Sequence, residues 1–221
     1  LAFSPDGQTL FSAGQDQRIG AWDLRLPGGI RTQLAAYPDG LSQPSFSPDG
    51  TTIAVGLVDG IDLRDAVTGQ LVGAIRHGQD FAQFYDVEFS PDGTMLATAD
   101  AANGTVQLWN VASRSALCPP LLLAPGEPAY DVAFSPDGKT LASSGGGLDI
   151  VLWDVESMIA GTPLSRTLSG HTSGVPQVTF SPDGTLLASA GHDGTARLWD
   201  VASGRHIGEP MTATLAWSVA F

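Results

Sequence analysis

Basic residues are scarce in this sequence. Lys139 is the lone lysine, and nine scattered arginines face 23 acidic side chains, for a formal net charge of −13. Such a balance repels phosphate backbones unless a local basic patch offsets it, and no such patch is present, so nucleic acid is not expected as a partner. Cysteine is rarer still: Cys118 alone closes no internal disulfide and lacks the second thiol that a thiolate zinc site would use. No run approaches the roughly 18 apolar residues of a membrane span. The opening Leu1-Ala2-Phe3 has neither an initiator methionine nor a signal-peptide pattern and reads as an excision point, and a cytoplasmic location is the default expectation. Charged residues are few, at 15%, whereas glycine (27) and proline (15) are plentiful. That composition suits many short strands joined by tight turns, and long helices are not expected.

What the chain does have is repetition. Ser-Pro-Asp-Gly begins at Ser4, Ser47, Ser90, Ser135 and Ser181, with steps of 43, 43, 45 and 46 residues. An aromatic residue precedes each copy (Phe3, Phe46, Phe89, Phe134, Phe180), and an apolar stretch such as Leu186-Leu187-Ala188-Ser189-Ala190 follows. The pattern predicts strand, turn, strand: proline presets the second turn position, aspartate favours the third, and glycine supplies the left-handed closure. About eighteen residues after the serines come Trp22-Asp23, Trp109-Asn110, Trp153-Asp154 and Trp199-Asp200, each ending an alternating apolar segment that reads as a third strand. The remaining residues leave room for an outer fourth strand, as at Arg166-Thr167-Leu168. Four strands in each unit of this length make a propeller blade.

One copy carries every landmark together: Gly170-His171, Ser181-Pro182-Asp183-Gly184, His192-Asp193-Gly194-Thr195 and Leu198-Trp199-Asp200. On these motifs the whole chain resembles the WD-repeat (Trp-Asp repeat) β-propeller family, of the type found in bacterial proteins from GC-rich genomes. The other copies are degenerate: Arg64 stands where tryptophan is expected, Asn103 and Gly147 replace the turn aspartate, and only the fifth copy keeps Gly-His. The resemblance implies an all-β fold of four-stranded antiparallel blades. Residues 1–221 then form one propeller segment, with repeats beginning near residues 1, 44, 86, 131 and 177. Residues 215–221 match the start of a sixth. Such propellers commonly close with about seven blades, so closure within these residues is not expected, and further blades or domains of its own chain, or a partner, should cover the open ends.

Ser189, His171 and Asp193 superficially form a hydrolase triad. In the resembling family, however, the equivalent residues and the tryptophan, here His171, Ser189, Asp193 and Trp199, form a buried structural tetrad. The partial copies Ser12/Asp16/Trp22 and Thr98/Asn103/Trp109 favour that reading, because a catalytic triad has no reason to recur in degenerate form. No catalytic residue is therefore assigned. Gly145-Gly146-Gly147 lacks the lysine and the following helix of a phosphate loop and reads as a turn. His77, His192 and His206 are too dispersed to propose a metal site, so neither metal nor cofactor is expected.

The position four residues before each landmark phenylalanine is more informative: Ser42, Tyr85, Tyr130, Pro176 and Trp217, followed by Gln43, Asp86, Asp131, Gln177 and Ser218. In the resembling family, these starts of innermost strands and the residues before the turn aspartate (Gln15, His192, and at weaker matches Ala102 and Gly146) surround the top opening and contact partners. Aromatics here would offer contact area, and Asp86 and Asp131 would suit a basic partner. The competing reading packs Tyr85 and Tyr130 between blades and leaves the aspartates merely solvated. The leading function is a non-catalytic scaffold or sensor that binds a protein or peptide, of basic character, at the top face, with no membrane role. The alternatives are the propeller of a peptidase-associated or redox enzyme, and a purely structural or oligomerising segment of a multidomain signalling protein.

Overall fold

The computed structural model describes residues 2–4, 6–13, 18–25, 30–36, 42, 44–76, 84–212 and 216–221. They form a β-propeller of antiparallel sheets, each wound strictly in sequence order. The first sheet comprises β1 (Ala2–Phe3), β2 (Thr9–Ala13), β3 (Arg18–Asp23) and β4 (Ile30–Ala36). The second comprises β5 (Ser45–Phe46), β6 (Thr52–Leu57), β7 (Gly60–Asp65) and β8 (Leu71–Arg76). The third has β9 (Phe84–Phe89), β10 (Met95–Asp100) and β11 (Thr105–Asn110), with its outer strand split into β12 (Ser115–Ala116) and β13 (Leu121–Leu122). Both fragments pair with β11. The split falls at Cys118-Pro119-Pro120, where proline has no N–H to give the ladder.

The fourth blade is β14 (Ala129–Phe134), β15 (Thr140–Gly145), β16 (Asp149–Asp154) and β17 (Ser165–Ser169). A five-residue helix, α1 (Val155–Ile159), sits between β16 and β17, with the Asp154 side chain accepting the Ser157 N–H at its start. The fifth blade is β18 (Gln177–Phe180), β19 (Leu186–Ala190), β20 (Thr195–Asp200) and β21 (Arg205–Thr212). Residues 216–221 are not in a strand, but the Val219 N–H reaches Gln177 Oε1 at 2.9 Å, so this segment runs beside β18. Among the described residues, no strand pairing joins the first sheet to the fifth.

A single small sheet cannot bury both of its faces, and the cores accordingly lie between blades. Ala54, Ile61, Leu63 and Ile75 of blade 2 pack on Phe84, Val87, Phe89 and Trp109 of blade 3. Blades 3 and 4 meet through Val106, Leu108, Val132, Phe134 and Trp153. Blades 4 and 5 meet through Ile150, Leu152, Val178, Phe180 and Trp199. This explains why second strands such as β10 and β15 are buried almost throughout, rather than on alternate residues.

At all five Ser-Pro-Asp-Gly turns the serine hydroxyl donates to the turn aspartate. In blade 5, Ser181 Oγ donates to Asp183 Oδ1 at 2.6 Å and accepts the Leu186 N–H at 2.9 Å, while Asp183 Oδ1 accepts the Thr185 N–H at 3.0 Å. These bonds hold the Asp183 carboxyl down at about 2. The turns also meet their neighbours. A side chain added at Gly93 would lie 3.2 Å from Pro48, one at Gly138 3.6 Å from Pro91, and one at Gly184 3.2 Å from Pro136. From blade 2 to blade 5 the bends therefore follow one another along a common rim. Ser181→Ala removes both serine bonds and strands the Leu186 N–H at a partly buried position, so urea unfolding should show a loss of about 1–2 kcal/mol. A loss indistinguishable from zero would mean the proline and glycine alone set the turn.

Candidate interaction face

The upper corner of blade 5 is a closed hydrogen-bond chain. Trp199 Nε1–H donates to Ser189 Oγ at 2.9 Å, Ser189 Oγ meets His171 Nε2 at 2.8 Å, and His171 Nδ1 meets Asp193 Oδ2 at 2.9 Å. The consistent proton order is indole to serine, serine hydroxyl to Nε2, and Nδ1–H to carboxylate. Burial lowers the His171 pKa despite the opposing pull of Asp193, so the ring is neutral at pH 7. Burial alone would raise Asp193. Donation from the Thr172 N–H, the Thr195 hydroxyl and N–H, and His171 instead holds it far below the usual carboxylate range. The relay order matches that of a hydrolase triad, but Ser189 is 0% exposed and its oxygen is already engaged by the indole, so no substrate carbonyl reaches it.

The degenerate corners keep part of this arrangement. Trp109 donates to Thr98 at 3.1 Å and Trp153 to Ser143 at 2.8 Å. Asn103 does not join its indole; its amide donates to Asp100 Oδ2 at 2.7 Å. In blade 2, Arg64 takes the indole's place with an ion pair to Asp62 at 3.0 Å and a bond to the Gly69 carbonyl at 2.8 Å. Gly145 is a close crossing: an added side chain there would lie 2.1 Å from the Pro128 carbonyl. Gln15, Asp16 and His77 lie outside the described residues.

The starts of the innermost strands hold the rest of the candidates. The β9–β10 register passes from Asp86↔Ala99 to Phe84↔Asp100, and the β14–β15 register from Asp131↔Ser144 to Ala129↔Gly145. Tyr85 and Tyr130 are thus the unpaired residues of two equivalent β-bulges, devices that re-aim a side chain out of the strand's alternation. Tyr85 is 47% exposed and lies with Val87 and Phe89 in sequence only, not in the inter-blade core. Pro176, immediately before the first pair of β18 (Gln177↔Ala190), occupies the same place in blade 5. It is partly buried.

The two bulged tyrosines, the turn residue His192 and Trp217 of the last segment form one row. Tyr85 and Tyr130 lie 5.4 Å apart between ring centroids, Tyr130 and His192 6.3 Å, and His192 and Trp217 4.7 Å. Trp217 is 62% exposed. The Nε2 of His192 is buried without a hydrogen-bond partner. Ser42 departs from the expectation of a displayed mouth residue. It is buried, and its Oγ accepts the Gly56 N–H at 2.8 Å, an approach open because Gly56 has no side chain: an added one would lie 2.8 Å from that oxygen.

Asp86 and Asp131 also depart from expectation, since they are neither solvated nor presented to a partner. Both are buried between blades, where Asp86 Oδ2 accepts the Val132 N–H at 3.2 Å and Asp131 Oδ2 accepts the Val178 N–H at 2.8 Å. Glu88, which no sequence motif singles out, does likewise for the Phe134 N–H at 2.6 Å. Each latches its blade to the next. Burial raises the pKa of Asp86, and burial together with the Asp86 charge raises those of Glu88 and Asp131 well above the ordinary carboxylate range. The signal in the sequence is the polar alternation Asp86-Val87-Glu88, which places two carboxyls on one face of an inner strand.

Among the described residues, no group of three histidine, cysteine or acidic side chains is placed to hold a metal ion, and no helix is long and apolar enough to cross a membrane. A family model described as WD domain, G-beta repeat, matches residues 1–23, 70–110, 123–154 and 162–200, more than half of the chain. Over 102 residues the chain is 33% identical to "Protein groucho" of Drosophila melanogaster. That match takes in 44% of this chain but only 13% of the length of the relative.

Proposed function

We propose, from the premise that this chain belongs to the WD-repeat family (WD domain, G-beta repeat), that it is a non-catalytic module holding a basic peptide segment of a partner protein across the row Tyr85–Tyr130–His192–Trp217. WD repeats generally mediate protein–protein interaction, and the members of this family are typically non-catalytic. The observation that carries the finer reading is the unbroken ring-to-ring row assembled from separate blades. Aromatic side chains supply large contact area at small entropic cost, and their faces attract guanidinium and ammonium groups. The net charge of −13 draws such groups toward the protein, so the field and the rings favour the same ligand.

The test is selection from a displayed peptide library on the chain, followed by affinity measurement on wild type and variants. Selected peptides should be rich in arginine or lysine. Tyr130→Ala with Trp217→Ala should weaken them by about 2 kcal/mol or more, roughly 30-fold, as expected of central aromatic anchors. Val67→Ser, in the exposed turn between β7 and β8, should leave affinity unchanged. Peptides without basic residues, or equal affinity for the double variant, would refute this reading.

A further inference from the structure

Blade-to-blade latching does not require a charged acceptor in this protein. Ser45 Oγ accepts the Phe89 N–H at 3.1 Å between blades 2 and 3, and Gln177 Oε1 accepts the Val219 N–H at 2.9 Å beyond blade 5. Neutral groups do the same work there. Among the described residues, the acceptors are carboxyls only between blades 3, 4 and 5, and these three, Asp86, Glu88 and Asp131, lie on the neighbouring strands β9 and β14. The strands packed against these two are β5, β6, β10, β11, β15 and β18. They contain no lysine, arginine or histidine. The one cation beside them is Lys139, in the turn before β15 and at the opposite end of that strand from Ser144, the partner of Asp131; at the bulged ends the ionisable groups are Tyr85, Tyr130, Asp100 at the end of β10 and Glu127 just before β14, none of which brings a positive charge at neutral pH. His192, in the turn after β19, meets the ring of Tyr130. Asp100 is occupied with the Ala102 N–H and the Asn103 amide. Three carboxylates in such a setting cannot all remain charged at small cost.

We propose that Asp86, Glu88 and Asp131 retain at least one proton at neutral pH, and that losing it loosens the seams between blades 3, 4 and 5 that seat Tyr85 and Tyr130. The aromatic row is then a pH-dependent site, firm in mildly acidic conditions and weakened in alkaline ones. Tyr85 and Tyr130 are the chain neighbours of Asp86 and Asp131 within the two bulges, so a shift of either latch moves the ring beside it. The functional meaning rests on the top-face reading above, but the test uses no partner, so the two can fail separately.

The direction is fixed by linkage. Carboxyls whose folded pKa is raised bind more protons folded than unfolded, so their effect is absent below the unfolded carboxylate range and destabilises progressively as pH rises toward the folded values. Urea unfolding of the chain from pH 5 to pH 8.5 should show a folding equilibrium constant that falls, by up to about tenfold per pH unit for each proton held. The variant Asp86→Asn/Glu88→Gln/Asp131→Asn keeps three neutral acceptors of the kind Gln177 already provides, and should unfold with no such slope. Infrared spectra at pH 7 should contain a protonated-carboxyl carbonyl band that the variant lacks. With ring-labelled tyrosine, the Tyr85 and Tyr130 resonances should move with the same pH midpoint in wild type and stay fixed in the variant. Equal slopes, no infrared band, or stationary tyrosine resonances would each overturn the proposal. If the triple variant fails to fold, Glu88→Gln alone should lessen the slope, and an unchanged slope overturns it equally.

Discussion

Trp199→Ala should destabilise the chain by about 3–5 kcal/mol, the range expected when a fully buried indole is truncated in a packed core. Trp199 is 1% exposed and packs across the seam with Ile150, Leu152, Val178 and Phe180, so its loss opens a cavity between two blades rather than within one. It also removes the donor at the head of the corner relay and the ring against which His171 and His206 lie, with centroids at 6.2 and 5.4 Å. Trp199→Phe separates the two contributions. Most of the apolar area stays, only the N–H is lost, and the serine and histidine keep each other, so the expected loss is about 1–2 kcal/mol. Urea midpoints measure both. Hydrogen exchange should place the largest loss of protection at β15, β16 and β18–β20, because energy in a repeat array is shared chiefly between neighbours. If alanine and phenylalanine cost the same, the indole N–H, and not its bulk, carries the corner.

Much of this architecture is legible in the sequence because its punctuation is local. A serine, proline, aspartate and glycine in a row determine their own turn through bonds spanning five residues, as Ser47, Asp49 and Thr52 do in blade 2, and no distant contact is needed. Alternation then assigns two faces to each strand. It does not say which neighbour each face meets, nor where an extra residue interrupts the count, and a one-residue bulge exchanges the faces. That is why Tyr85 and Tyr130 are legible as candidates but not as bulged residues, and why Asp86 and Asp131 read as mouth charges when they are buried latches. Replacement is similarly opaque. Arg64 in the indole's place signals only a lost landmark in the sequence, whereas the folded blade forms a pair with Asp62 from it. Arg114, with φ of 57°, holds the left-handed position that Gly69 and Gly204 fill in blades 2 and 5. Its guanidinium lies over Gly73 and donates to the Val72 carbonyl at 3.2 Å, a contact across blades that turn chemistry alone would not suggest.

Gly104→Ala should cost about 2–4 kcal/mol and should reach the aromatic row as well as stability. Gly104 has φ of +65°, and a side chain there would sit 2.2 Å from the Glu127 carbonyl oxygen, a backbone atom that cannot rotate aside. The Gly104 carbonyl is committed too, accepting the Leu123 N–H at 2.9 Å. Relief must come from moving the 124–128 segment, which leads directly into the bulge that aims Tyr130. Gly126→Ala is the matched control: its φ is +77°, and nothing lies within 4 Å of an added side chain. It should therefore cost only about 1 kcal/mol, the left-handed penalty without the collision. The difference between the two urea midpoints isolates the steric part. With ring-labelled tyrosine, Gly104→Ala should shift the Tyr130 resonances more than those of Tyr85, since only the strand that carries Tyr130 is pushed at its start. Equal destabilisation by the two alanines would show that the segment before β14 yields freely, and the row would then owe its placement to the inter-blade latches alone.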